Sequence, residues 1–143
     1  MSDAATGDQD SATRERNLAT VRSAFAAIAD GDAEGQLSHY TDDVIFELPY
    51  TDPPKRSTTR AEALANIAAA FTVFRFELTI TAVHDCLDPD ELIVEFTGGG
   101  TYLPTAAPYT NVYIAVFRFR DGRICFQREF FNPATTAKVI AGS

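Results

Sequence analysis

At 143 residues, with 45% apolar and 22% charged residues, the chain is long enough to bury one core and has the composition of a globular protein. Its formal net charge of −8 opposes non-specific attachment to nucleic acid or to anionic membranes. No apolar run reaches the roughly 20 residues that cross a bilayer, and Cys86 and Cys125 make neither a disulfide framework nor a metal motif.

The first residues, MSDAATGDQDSATRER, lack the basic and apolar regions of a signal peptide. Residues 1–13 read as a disordered acidic tail and 14–143 as a single domain. Sparse, unpatterned cysteine points to a reducing, cytoplasmic setting. Leu18, Val21, Phe25 and Ile28 recur at helical spacing and predict a helix over 14–30, closed by Gly31. Asp32 can cap a short second helix running to about Tyr40. Residues 44–48, VIFEL, read as a strand; Pro49, Pro53 and Pro54 make 49–58 a loop, of which Pro49–Pro54 is a candidate lid or an ordinary connection. Thr59 and Glu62 have capping-box spacing at the start of a third helix, whose inner face is Leu64, Ile67, Ala68 and Phe71.

From Phe74 the apolar period falls to two, predicting a strand to about His84 and a turn at Asp88-Pro89-Asp90. The next strand runs from Glu91 to about Tyr102, and Gly98-Gly99-Gly100 in it signals a bend, a bulge or a close backbone approach. Leu103–Thr110, with two prolines, reads as a loop. The hairpin 111–131 turns at Asp121-Gly122, and Asn132-Pro133 opens a last short helix. Helices first and long strands last make an α+β fold with the N-terminal helices packed on a strongly bent, mostly antiparallel sheet. Such a sheet can curl into a cone-shaped α+β barrel with a pocket inside.

Candidate chemistry centres on Glu129, an acid inside the last strand. Alternation puts Cys125, Gln127, Glu129 and Phe131 on one face and Ile124, Phe126, Arg128 and Phe130 on the other. If Glu129 faces a pocket, desolvation raises its pKa and suits it to proton transfer near neutral pH. If it lies at the rim, it pairs with an arginine. Glu95 is a second strand acid, either sharing that pocket or facing outward. Tyr113, Tyr102 and Asn111 lie near strand ends, where they could orient a polar group of a ligand or serve as packing residues. Tyr40 could point its hydroxyl inward from the end of the second helix. His84 and His39, far apart and without helical carboxylate partners, make no metal motif.

Three stretches together resemble the nuclear transport factor two-like fold, the SnoaL-like and ketosteroid-isomerase superfamily. They are AIADGDAEGQLSHYTDD from Ala27 to Asp43, the following VIFELP, and FRFRDGRI before the last strand. The resemblance covers about 15–140. REFFNP, residues 128–133, is similar to the Arg-Glu-Phe-X-Asn-Pro of the phenazine-biosynthesis A/B-type branch. That branch implies a pocket acid/base role for Glu129 and a homodimeric, cofactor-free protein acting on a small cyclic metabolite. Other hallmarks of the superfamily are replaced. The branch's third-helix His falls at Asn66 or Ile67, the first-helix Tyr of ketosteroid isomerases at Ala24, and their base at Leu48. The terminal Asp of the polyketide cyclases falls at about Asn132.

The resemblance implies a cofactor-independent proton-transfer enzyme, performing isomerisation, cyclisation or condensation in secondary metabolism. A non-catalytic small-molecule-binding or scaffold domain of the same fold is the alternative, and a purely structural dimerisation module is a third. Homodimerisation has its own support in Val112–Phe117, where both faces of the strand are apolar and one needs a second cover.

Overall fold

The computed structural model describes residues 2–142. Four helices and six strands follow in the order α1 (Ser2–Ala29), α2 (Ala33–Leu37), β1 (Tyr40–Leu48), β2 (Lys55–Ser57), α3 (Arg60–Phe71), β3 (Phe74–Asp85), β4 (Glu91–Tyr102), β5 (Ala107–Arg120), β6 (Arg123–Phe131) and α4 (Pro133–Ala141). The strands form one sheet in the order β2-β1-β6-β5-β4-β3. Every pairing is antiparallel except β1 with β6. The sheet is curved but does not close: β2 and β3 are its two edges. The expected α+β architecture is therefore present, with helices packed on a bent sheet.

The local signals act as their chemistry dictates. Val21, Ala24, Phe25 and Ile28 are buried and form the inner face of α1, with Phe25 against Phe96 at 4.8 Å. The Asp32 carboxylate accepts from the Gly35 amide and starts α2. Thr59 Oγ1 accepts from the Glu62 amide at 3.1 Å and starts α3. Asp121 and Gly122 both have positive φ, 51° and 80°, as a two-residue hairpin turn of type I′ demands. Asn132 caps α4 with Pro133 in its first turn, and Gly142 ends it in the left-handed region.

Asn17 and Thr20 are among the side chains that tie α1 to one end of the sheet. Asn17, fully buried, donates to the Pro89 carbonyl at 3.2 Å and to Asp90 Oδ1 at 2.9 Å in the β3–β4 turn. Thr20 donates to the Gly122 carbonyl at 2.8 Å in the β5–β6 turn. Between these turns and α1 lies a solid core that includes Leu92, Val94, Ala115, Phe117 and Ile124.

The structure corrects several boundaries. Residues 2–13, read as a disordered tail, continue α1; no proline interrupts them, and Arg14 beyond them donates to the Cys86 carbonyl at 2.9 Å. Met1, the first residue of that expected tail, lies outside the described residues. Tyr40 starts β1 rather than ending α2, because it pairs with Ile124. The proline loop hides a short strand, β2, bonded to β1, and β5 begins at Ala107, not Asn111. In β6 the register shifts between Arg118–Phe126 and Phe119–Ile124, leaving Cys125 as an extra residue. That bulge turns Ile124 to the core, whereas strict alternation put it on the opposite face from Gln127.

The glycines of β4 mark a close approach. Gly100 has φ +147°, and a Cβ there would lie 1.9 Å from the Arg75 carbonyl oxygen. Gly100→Ala is expected to lower stability by about 2 kcal/mol. The reading is a lower urea midpoint at unchanged m-value; a midpoint equal to that of wild type would mean the β3–β4 pairing yields without strain.

Candidate active site

The end of the sheet away from the α1 contacts is hollow. There β1, β3, β4, β5 and β6, covered by α3 and α4, enclose a cavity of about 520 Å³. Its walls are mostly apolar, with Phe46, Phe71, Phe76, Phe96 and Phe131 supplying much of the surface. Exposed Lys55, Ala69 and Ile140 border it and mark the mouth. Volume and lining are those of a site for a small, largely apolar molecule. Gly98 of β4 makes room for one wall residue: a Cβ there would lie 2.5 Å from Tyr113 Cε1, where the phenol ring lies across the strand.

Glu129 is in the cavity wall. Alternation sends its neighbour Arg128 to the outer face, where Nε bonds Glu47 at 2.8 Å. Glu47 also holds Arg56 at 3.2 Å, and the Arg128 bond keeps its carboxylate below the ordinary range. Glu129 is half-buried and takes part in no ion pair among the described residues. Burial pushes its pKa up to about 7, against the downward pull of a hydrogen bond from Gln127.

That bond is the last of a series. Gln127 Nε2 donates to Glu129 Oε1 at 3.0 Å, and Tyr40 Oη donates to Gln127 Oε1 at 2.5 Å. Gln36 Nε2 lies 3.5 Å from Tyr40 Oη. Gln36, Tyr40 and Gln127 are all buried, and burial holds the Tyr40 phenol well above its ordinary pKa. Each donor is spent in the direction of the carboxyl group.

A second polar set faces Glu129 from β5. Tyr109 and Tyr113 line the cavity and share a hydrogen bond of 2.7 Å. Tyr113 stacks on Phe96 with ring centroids 4.9 Å apart, which fixes the plane of the phenol. Burial raises the Tyr113 pKa first, then Tyr109, and the negative charge of Glu129 adds to it. Asn111 Nδ2 donates to Tyr109 Oη and to the Asn132 carbonyl, both at 3.0 Å. Its Oδ1 accepts from the Asn132 amide at 3.2 Å.

Of the residues singled out in the sequence, Glu129 and Tyr113 lie in the cavity wall. Asn111 does not line it; it docks the start of α4 onto β5 and holds Tyr109. Tyr40 does not line it either and reaches Glu129 only through Gln127. The expected ligand contacts from Tyr102 and Glu95 are not what the fold provides. Tyr102 packs on Phe74 at 5.2 Å outside the lining. Glu95 alternates with core residues Val94 and Phe96, so it points outward and bonds His84 Nε2 at 2.6 Å. In the candidate lid, Thr51 lines the cavity, while Tyr50 is exposed and packs edge-on against Phe130. Alternation had put Gln127 on the face of Glu129 without giving it a role; Tyr109 and Gln36 were not anticipated, and Tyr109 sat in a stretch taken for a proline loop.

Among the described residues no group of three His, Cys, Asp or Glu side chains could hold a metal ion, and no helix is long and apolar enough to cross a membrane. Residues 21–127 match the SnoaL-like domain family. An uncharacterized PhzA/B-like protein of Pseudomonas aeruginosa, PA3332, is 31% identical over 119 residues, 80% of this chain and 83% of that protein. The crystal structure of a proposed isomerase from Bacillus subtilis superposes with a TM-score of 0.85 at 28% identity, covering 92% of this chain and 96% of that one. A phenazine biosynthesis-related protein of Pseudomonas aeruginosa, phzb2, has the same fold with a TM-score of 0.77 at 22% identity, over 94% of this chain and 90% of that one.

Proposed function

Because the chain belongs to the SnoaL-like family, we propose that its cavity is the active site of a small cofactor-independent enzyme. The enzyme moves a proton on a cyclic, largely apolar metabolite, in an isomerisation, cyclisation or condensation. One observation carries this reading: a carboxyl group without a counter-cation, in an apolar wall, with its pKa displaced to about 7. Near neutral pH such a group both takes and returns a proton.

The step balances with this chain's own residues. Glu129, ionised, takes a proton from a carbon next to a substrate carbonyl. The C–H electron pair moves into the new carbon–carbon double bond, and the carbonyl π pair moves onto oxygen. Tyr113 donates a hydrogen bond to that oxygen. Its own proton is free for this, because Tyr109 accepts from Asn111 and can donate to Tyr113. Glu129 then returns the proton to a different carbon of the conjugated system, and the enzyme is regenerated.

β-Tetralone, a bicyclic apolar ketone, is a suitable first probe. Exchange of its α-protons in D2O, followed by NMR, should exceed the buffer rate with wild type and fall back with Glu129→Gln. No acceleration with this or other cyclic ketones, together with tight binding of one of them, would favour the alternative of a non-catalytic binding domain. The absence of the superfamily's other acids and His from the cavity is the observation behind that alternative.

The same reading includes a homodimer, a cytoplasmic location and a place in secondary metabolism. The dimer is supported by the outer sheet face, where Val112 is 68% and Ile114 38% exposed and Ile114 pairs with Phe130. Wild type is expected to sediment as a dimer at micromolar concentration and Val112→Asp as a monomer. A monomeric wild type removes the dimer from the proposal.

A further inference from the structure

We propose that Tyr40 is a positioning residue that acts on Glu129 through Gln127, holding the Gln127 amide as a donor so that the acid proton of Glu129 remains available to the cavity. The inference deepens the acid/base reading of this site. A glutamine amide between a phenol and a carboxyl group can stand in two orientations. In the one observed, Tyr40 donates to Oε1 and Nε2 donates to Glu129 Oε1. In the inverted one, Gln127 Oε1 would accept the Glu129 proton, and the acid would spend that proton inside the protein. Tyr40 decides between them because Gln36 turns its Nε2 to the phenol oxygen: the phenol proton then has only Gln127 to go to, and inversion would set the amide N–H2 against it.

The surroundings leave Tyr40 little freedom to yield. It is 1% exposed and Gln127 2%, so neither can turn to water instead. Gln36 stands on the far side of the phenol with its Nε2 toward the oxygen. With Gln127 on one carboxyl oxygen, the proton exchanged with substrate sits on the other. The remaining titratable groups of the cavity wall are Lys55 of β2 and Tyr109 and Tyr113 of β5. Among the described residues none comes from α1, α2, α3, α4, β3 or β4.

The test is the titration of Glu129 itself, followed by the side-chain carboxyl ¹³C signal and identified by its loss in Glu129→Gln. Gln127→Leu removes the donor and should move the midpoint upward by about one pH unit. Tyr40→Phe frees the amide to invert and accept the acid proton, and should move the midpoint upward by a comparable amount. In the double variant the shift should equal that of Gln127→Leu alone, because Tyr40 acts only through Gln127. A Tyr40→Phe midpoint unchanged from wild type, or shifts that add in the double variant, overturns the proposal.

If Tyr40→Phe does not fold, a neutron structure of wild type decides. Deuterons on Gln127 Nε2 toward Glu129 and on Tyr40 Oη toward Gln127 are expected. A Tyr40 deuteron directed at Gln36, whose Oε1 is buried without another partner, overturns it. No turnover enters either measurement. Coupled titration without catalysis would leave this inference standing and remove the catalytic reading; catalysis with uncoupled titration would do the reverse.

Discussion

Glu129→Gln is expected to lower catalysed proton transfer by on the order of 100-fold or more, with a much smaller change in KM. The substitution keeps the size of the side chain and an oxygen for Gln127 to donate to, so the cavity keeps its shape. What it removes is the group that exchanges a proton near pH 7. The wild-type rate should rise with pH through about 7 when the ionised carboxylate is the base. That limb should vanish in the variant. Turnover within about threefold of wild type would remove Glu129 from the chemistry and leave the cavity as a binding site.

The same substitution should stabilise the protein at neutral and alkaline pH. The carboxyl keeps its proton in the native state up to about 7, while its ordinary value is 4.5. Between those values the unfolded chain has released the proton and the native protein has not. The native state binds more protons there, so stability falls as pH rises across the window. The displacement corresponds to about 3 kcal/mol once pH exceeds 7, an upper figure because the cavity opens to solvent. Glu129→Gln has no charge to bury. It should match wild type near pH 4.5 and exceed it at pH 8, in urea melts at both values. Glu47 works in the opposite sense: its lowered pKa contributes stability above its ordinary value that is lost as pH falls into the acid range. The difference between wild type and Glu129→Gln cancels that contribution. Equal stability of the two proteins at pH 8 would place Glu129 in water rather than in an apolar wall.

Much of the fold was legible because it rests on short-range chemistry. The Leu18–Ile28 stripe, the Asp32 and Thr59 caps, the Asp121-Gly122 turn and the Asn132-Pro133 helix start each depend on residues within a turn or two. Glu129 was legible as a candidate because an acid among Phe126, Phe130 and Phe131 violates the pattern of its strand. The rest depends on pairings that local pattern does not encode. The bulge at Cys125 reverses a face in mid-strand. β2 exists only because β1 offers it an edge, and prolines around it mask the signal. Tyr40 meets Gln127 across 87 residues. Glu95 and Tyr102 have the same local character as Glu129 and Tyr113, and only the register of β3, β4 and β5 separates the outward and peripheral positions from the cavity.

The anchoring of α1 at the two hairpin turns divides the molecule into unequal responsibilities. The turn end, filled by Phe117, Ile124 and Val94 beneath that helix, holds a dense part of the hydrophobic core. The other end holds the cavity, so a change at Phe46, Phe76 or Ile67 alters its contour without touching the Asn17 and Thr20 tethers. Ile28, Phe96 and Tyr113 serve both ends, in the core and in the cavity wall, whereas Val94, Phe117 and Ile124 belong to the core alone. If the cavity takes a metabolite as proposed, its contour can change at Phe46 or Phe76 while Asn17, Thr20 and the turn-end core stay as they are.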